Sequence, residues 1–177
     1  MIRAPRSLAL VAVAVGAVLS ASCFDPVHSD NVDALGPEPT NDHTNQFHRP
    51  GQPCLVCHGG SGPGSPEFEI AGTVFLNATA QSPPAEGVEI LVNDVTGKRI
   101  PVRTSNRAGN FYLEKDTTSL YYPLTIVLKS DKITDGTGVK EMLTTIGRNG
   151  GCATCHIDGL AEQDKTKKMQ HVYLNEK

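Results

Sequence analysis

Five cysteines occur in this chain of 177 residues. Four of them fall in two copies of one pattern, Cys54-Leu-Val-Cys57-His58 and Cys152-Ala-Thr-Cys155-His156. Two thiols three positions apart reach the two vinyl groups of one porphyrin, and each thiol can add across a vinyl double bond to give a thioether. The next residue, His, then comes to lie under the iron as proximal ligand. With 6 His in the chain, a given position is His by chance roughly once in 30, so both pairs being followed by His is roughly a one-in-900 accident of composition. The spacing predicts two covalently attached haems, one through Cys54 and Cys57 and one through Cys152 and Cys155, with His58 and His156 as proximal ligands.

Other uses of four cysteines are open to the same residues. A single zinc site needs pairs roughly 15–20 residues apart, and far more separate Cys57 from Cys152. A redox pair wants the start of a helix in an α/β context, against a chain whose middle reads as strands. Structural disulfides suit an exported protein.

Distal ligands come from the remaining histidines and methionines. The segment His48-Arg49-Pro50-Gly51-Gln52-Pro53-Cys54 resembles one in small bacterial multihaem cytochromes, where a His precedes the first Cys by six residues. With the doubled motif, the chain is similar to small bacterial diheme c-type cytochromes, which implies electron transfer and haem c. His48 is therefore a distal candidate. His171 is the other His beyond position 58 outside a motif and is the second candidate. His43 is in reserve, and His28 lies far out on the leading segment. Met142 and Met169 are alternatives, and Met/His ligation would raise the potential relative to two histidines.

The elements that must position these residues follow from pattern. Residues 1–22 read as an export signal, with Arg3 and Arg6 ahead of the apolar run Leu8 to Leu19, too short to span a bilayer comfortably. Leu19-Ser20-Ala21-Ser22-Cys23 resembles a bacterial lipobox and implies a lipidated Cys23. Residues 23–47 are polar and without hydrophobic period, as in a flexible tether. Residues 48–66 hold the first motif and the run GGSGPGSP, which suits neither helix nor strand interior.

Residues 67–146 read as all-β, with strands over 68–76, 87–94, 99–105, 109–114, 122–130 and 138–145. Val88, Ile90 and Val92 alternate with Glu89, Leu91 and Asn93. The expected fold is mainly β, a single antiparallel β-sandwich of about six to seven strands flanked by two irregular or short-helical haem-binding segments. Gly72-Thr73-Val74, Gly87-Val88-Glu89-Ile90, Asp94, Gly97-Lys98, Thr104, Asn106 and Ala108-Gly109-Asn110-Phe111 resemble the carboxypeptidase regulatory-like, transthyretin-like domain. That resemblance implies a scaffold rather than a catalyst. Six strands alternating in direction would return the chain to the pole where it entered, gathering both haem segments at one end. Residues 147–177 hold the second motif and a polar tail.

Net charge is -3, and loss of residues 1–22 with their arginines makes the chain more acidic. No basic patch points to nucleic acid, the cluster Lys165, Lys167 and Lys168 reading as solvated. The residues together lead to an electron-transfer protein of the bacterial envelope, periplasmic or at the outer membrane. Its partners would be redox proteins or extracellular electron acceptors, with a lipid anchor at Cys23 and room for self-association into longer haem chains. A haem enzyme with one five-coordinate iron, and a ligand-binding sandwich with accessory haems, are the rival expectations.

Overall fold

The structure, a computed structural model, describes residues 25–38, 45–60, 62–79, 81–156 and 171–175. Residues 1–22, Cys23, His43, Met169 and the lysines at 165, 167 and 168 lie outside the described residues.

The described chain is mainly β. Each of the six apolar runs carries a strand: β1 (Phe68–Asn77), β2 (Glu89–Asn93), β3 (Arg99–Pro101), β4 (Asn110–Glu114), β5 (Thr125–Lys129) and β6 (Val139–Glu141). Two short strands follow where irregular structure was expected, β7 (Gly150–Gly151) and β8 (Val172–Asn175). One sheet runs β3-β2-β5-β6, antiparallel throughout. The other runs β4-β1-β7, with β8 also on β1. In it β4 is antiparallel to β1, whereas β7 and β8 are parallel to β1. The expectation of purely antiparallel pairing therefore does not hold for this sheet. A Gly-Gly pair and a four-residue strand are too short to show a period of two.

Side chains of both sheets meet in one hydrophobic cluster that includes Ile70, Val74, Ile90, Val92, Phe111, Ile126, Leu128 and Leu174. Val88, Ile90 and Val92 all point into it, as their alternation implies. β1 is different. Its residues Ile70 to Val74 are buried without interruption, the pattern of a strand covered on both faces. A bulge between Phe68 and Ile70 explains part of this. It turns Phe68 to the face opposite Ile70, the face shared by Asn110 and Tyr112 of β4.

The leading segment is more ordered than a tether would be. Helix α1 (Pro26–Ala34) starts at Asp25, whose carboxylate accepts from the His28 amide, with Pro26 in the first turn. Its end is held by Arg49, whose guanidinium donates to the carbonyls of Leu35 (3.2 Å) and Gly36 (2.7 Å). Cations at a helix C-terminus are favourable. A helix with no buried residue leaves little hydrophobic pattern in the sequence. Among the described residues no helix is long and apolar enough to cross a membrane.

The Tyr122 hydroxyl donates to Glu69 at 3.3 Å. Burial, followed by the nearby Glu69 charge, pushes the phenol up to about 12 from an ordinary 10.0. The folded state thus holds this proton more tightly than the unfolded state does. Its contribution to stability is complete below pH 10 and is lost as pH rises toward about 12. Chemical denaturation across that alkaline range should show a shallower loss of stability in Tyr122→Phe than in the unsubstituted chain. Equal slopes would show that the phenol titrates normally.

Candidate functional site

The first motif forms a short helix, α2 (Cys54–His58). It packs over the outer face of β1, and His58 is buried there. His58 Nδ1 lies 2.8 Å from the Pro66 carbonyl. A carbonyl only accepts, so Nδ1 carries the proton and Nε2 keeps the lone pair, the arrangement usual for a metal-ligating imidazole. The ring stacks on Phe68 with centroids 4.3 Å apart, and Phe68 stacks on Tyr112 at 4.4 Å. Gly64 permits this packing, because a Cβ there would come within 2.9 Å of the His58 ring.

His48 stands beside His58. Their centroids are 5.8 Å apart and their planes meet at 26°. A metal–imidazole bond is roughly 2.0–2.1 Å, so two imidazoles on opposite sides of one iron have centroids roughly 6 Å apart. The pair fits that requirement in separation. His48 Nδ1 is paired with the Asn45 carbonyl, which again leaves Nε2 with the lone pair. His28 Nε2 is buried and has no hydrogen-bond partner among the described residues.

The second motif is placed by strand pairing. β7 ends at Gly151, opposite Ala71, and Cys152 follows immediately in a 3-10 turn, Cys152–Thr154. β8 begins at Val172, opposite Val74, and His171 immediately precedes it. The two attachment points, Ala71 and Val74, are three residue steps apart along β1, roughly 10 Å. The second motif and His171 are therefore both anchored to the same strand. A cleft of about 550 Å³ opens there, lined by Cys152, Cys155, His156 and His171 together with Phe111, Ile126, Leu128 and Met142. That volume is ordinary for a site holding a large organic cofactor. His171 is buried, stacks at a tilt on Phe75, and directs Nε2 at the Asn77 carbonyl, 2.6 Å away. It thus differs from His48 and His58, which direct Nδ1 at carbonyls.

The two motifs adjoin. A Cβ at Gly151 would lie 3.3 Å from Leu55 Cδ1, inside the first motif. All four thiols are unpaired, with Cys54, Cys57 and Cys152 half-buried and Cys155 exposed. Burial pushes the Cys54 thiol up to about 11, and burial with Cys54 nearby pushes Cys152 up to about 12. A redox-active pair has a lowered thiol instead. Among the described residues no group of three or more His, Cys, Asp or Glu is arranged to hold a bare metal ion. An iron already in a porphyrin asks less, one ligand on each face.

Several residues at the site were not singled out as site candidates in the sequence: Asn45, Pro66, Phe68, Thr73, Asn77 and Asn110. Strand pairing brings Phe68, Thr73, Asn77 and Asn110 to the histidines, and loop segments bring Asn45 and Pro66. Residues 1–24 and 39–44 being outside the described part, Cys23 and His43 have no place in this geometry.

The chain matches no known protein family, no curated protein and no solved structure.

Gly72 sits where β1 meets the second motif. A Cβ there would come within 2.8 Å of Cys152 Cβ and 2.9 Å of Phe111 Cζ. Gly72→Ala should cost about 1–3 kcal/mol in denaturant unfolding. Gly147→Ala, with open space around it, should stay within about 0.5 kcal/mol. Equal stabilities for the two variants would mean that Cys152 does not pack on β1.

Proposed function

We propose that this protein is an electron-transfer diheme c-type cytochrome, exported to the bacterial envelope, in which the two sheets form a β-sandwich scaffold. The observation that carries this is the anchoring of Cys152 and His171 to one strand. A Cys-x-x-Cys-His motif and a buried histidine are fixed three steps apart along β1, and both line a largely apolar cleft. A second such motif, with its own histidine pair, lies against the same strand.

Cys54 and Cys57 would hold one haem and Cys152 and Cys155 the other, as thioethers. His58 and His156 would be the proximal ligands, His48 the distal ligand of the first iron and His171 that of the second. A bound haem supplies reversible one-electron exchange between ferric and ferrous iron. The chain supplies orientation and exclusion of water. Phe68 and the Pro66 carbonyl fix the His58 ring from two sides, and the Asn45 carbonyl fixes His48. The cleft's aliphatic walls would keep water from the second iron. Partners would be redox proteins or extracellular electron acceptors, with Cys23 as lipid anchor and haem-to-haem stacking as the route to self-association.

A second reading, a haem enzyme with one five-coordinate iron, draws on one observation: His171 Nε2 already donates to Asn77. Expression in a host that matures c-type cytochromes separates these. Intact mass should exceed the processed polypeptide by two haems, about 1.2 kDa, and Cys57→Ala and Cys155→Ala should each remove one. Reduced protein should take up little carbon monoxide, and His171→Ala should open one haem equivalent to it. A colourless product ends the proposal. Unsubstituted protein binding one equivalent of carbon monoxide favours the enzyme.

A further inference from the structure

We propose that Thr73 and Asn110 are positioning residues for His48, fixing the sixth ligand of the first iron through a directed chain of hydrogen bonds. This rests on the haem assignment above and goes beyond it, because neither side chain touches the ligand ring.

Thr73 of β1 and Asn110 of β4 sit directly opposite each other in register. Both face outward, toward the segment that presents His48. The Gly51 amide donates to Thr73 Oγ1 at 2.8 Å. Thr73 Oγ1 donates to Asn110 Oδ1 at 2.8 Å. Asn110 Nδ2 donates to the His48 carbonyl at 2.9 Å. A hydroxyl has one proton to give, so Thr73 must accept from Gly51 and donate to Asn110. That assignment fixes the amide of Asn110 as well, since its oxygen faces a donor and its nitrogen faces a carbonyl. The two ends of the turn 48–51 are thereby held to two adjacent strands. Thr73 is 4% exposed, so water does not replace a lost partner at little cost.

The consequence reaches the ring. His48 has its carbonyl held by Asn110 and its Nδ1 held by Asn45. Asn106 adds a bond from Nδ2 to the Gln46 carbonyl at 2.7 Å. The backbone of His48 can retreat from His58 only if the Thr73–Asn110 pair lets go. A histidine on a loosely held loop would dissociate from iron and return, and carbon monoxide would find the vacant position.

The test uses holoprotein with both haems attached, counted by intact mass. Thr73→Val keeps the shape and removes the hydroxyl; Thr73→Ser keeps the hydroxyl. Asn110→Asp keeps the acceptor and removes the donor to His48. The ferrous forms are mixed with carbon monoxide, and His48→Ala defines full opening of the first haem. Thr73→Val and Asn110→Asp should bind carbon monoxide at one additional haem equivalent, on the order of tenfold faster than the unsubstituted protein. Thr73→Ser should match the unsubstituted protein. Thr73→Val should add nothing to His48→Ala, as expected when both act through one ligand. Unchanged carbon monoxide kinetics in the Val and Asp variants, with two haems attached, overturn the proposal, as does an effect of Thr73→Val that persists on His48→Ala. Should Thr73→Val not fold, Asn110→Asp alone decides the outcome by the same two criteria. Absence of haem from the unsubstituted protein is a different failure and falls on the haem assignment.

Discussion

Pairing along β1 is the constraint on which the rest depends. This one strand serves three neighbours at once. Its inner side chains, Ile70 and Val74, enter the common core. Its outer face receives the first motif through Thr73 and the displaced Phe68. Its free edge takes β7 and β8 in parallel, with a gap between them. The uninterrupted burial of Ile70 to Val74 is the physical trace of all three. A strand exposed on one face would alternate, and a strand with a paired edge would have no room for an excursion. Gly72 lies where these demands collide, and no side chain fits there.

The sequence made the scaffold legible because a half-buried strand must alternate. Val88, Ile90 and Val92 could be assigned to the core on that ground alone. The motifs were legible because the same Cys-x-x-Cys-His spacing occurs twice. What escaped had no such local signature. β7 is two glycines, and β8 is four residues in a polar tail. Helix α1 has no fully buried residue, so its start rests on the Asp25 cap and its end on Arg49, a partner well along the chain. Strand parity does not explain why the two motifs adjoin. They do so because β7 returns beside the start of β1, and a parallel partner brings its end near residues that follow the first motif. His48 beside His58 was suggested by a local resemblance, yet the side chains that hold it, Thr73 and Asn110, belong to strands and were visible only as parts of the scaffold.

Thiol burial has a chemical meaning within the proposed function. A buried thiol resists ionisation because a thiolate would sit in a poorly solvating surrounding. Cys54 and Cys152 are pushed in that direction, and each lies close enough to the other that two thiolates would repel. A thioether carries no proton to lose and no charge to bury. Conversion to thioethers therefore removes an electrostatic penalty that the free thiols would bear at high pH, and does so at the crowded junction between the motifs.

The arrangement also bears on how electrons would cross the molecule. Both proposed haem-binding motifs pack against one strand, so the separation of the haems would be set by a rigid element. Rigid placement matters for a carrier because iron that changes charge without moving its ligands needs little reorganisation. The two ligand pairs are not held alike. His48 and His58 keep Nε2 available through fixed Nδ1 contacts, whereas His171 gives Nε2 to Asn77. Under the proposed haem assignment the first histidine pair would need no change of hydrogen bonding to ligate, whereas the second would have to exchange the His171–Asn77 hydrogen bond for a coordinate bond. That asymmetry would separate the two potentials even with identical ligand types, because ligand strength and hydrogen bonding tune haem potential independently of ligand identity. In the proposed carrier, unequal sites would give electron flow a preferred direction, and equal ones would not.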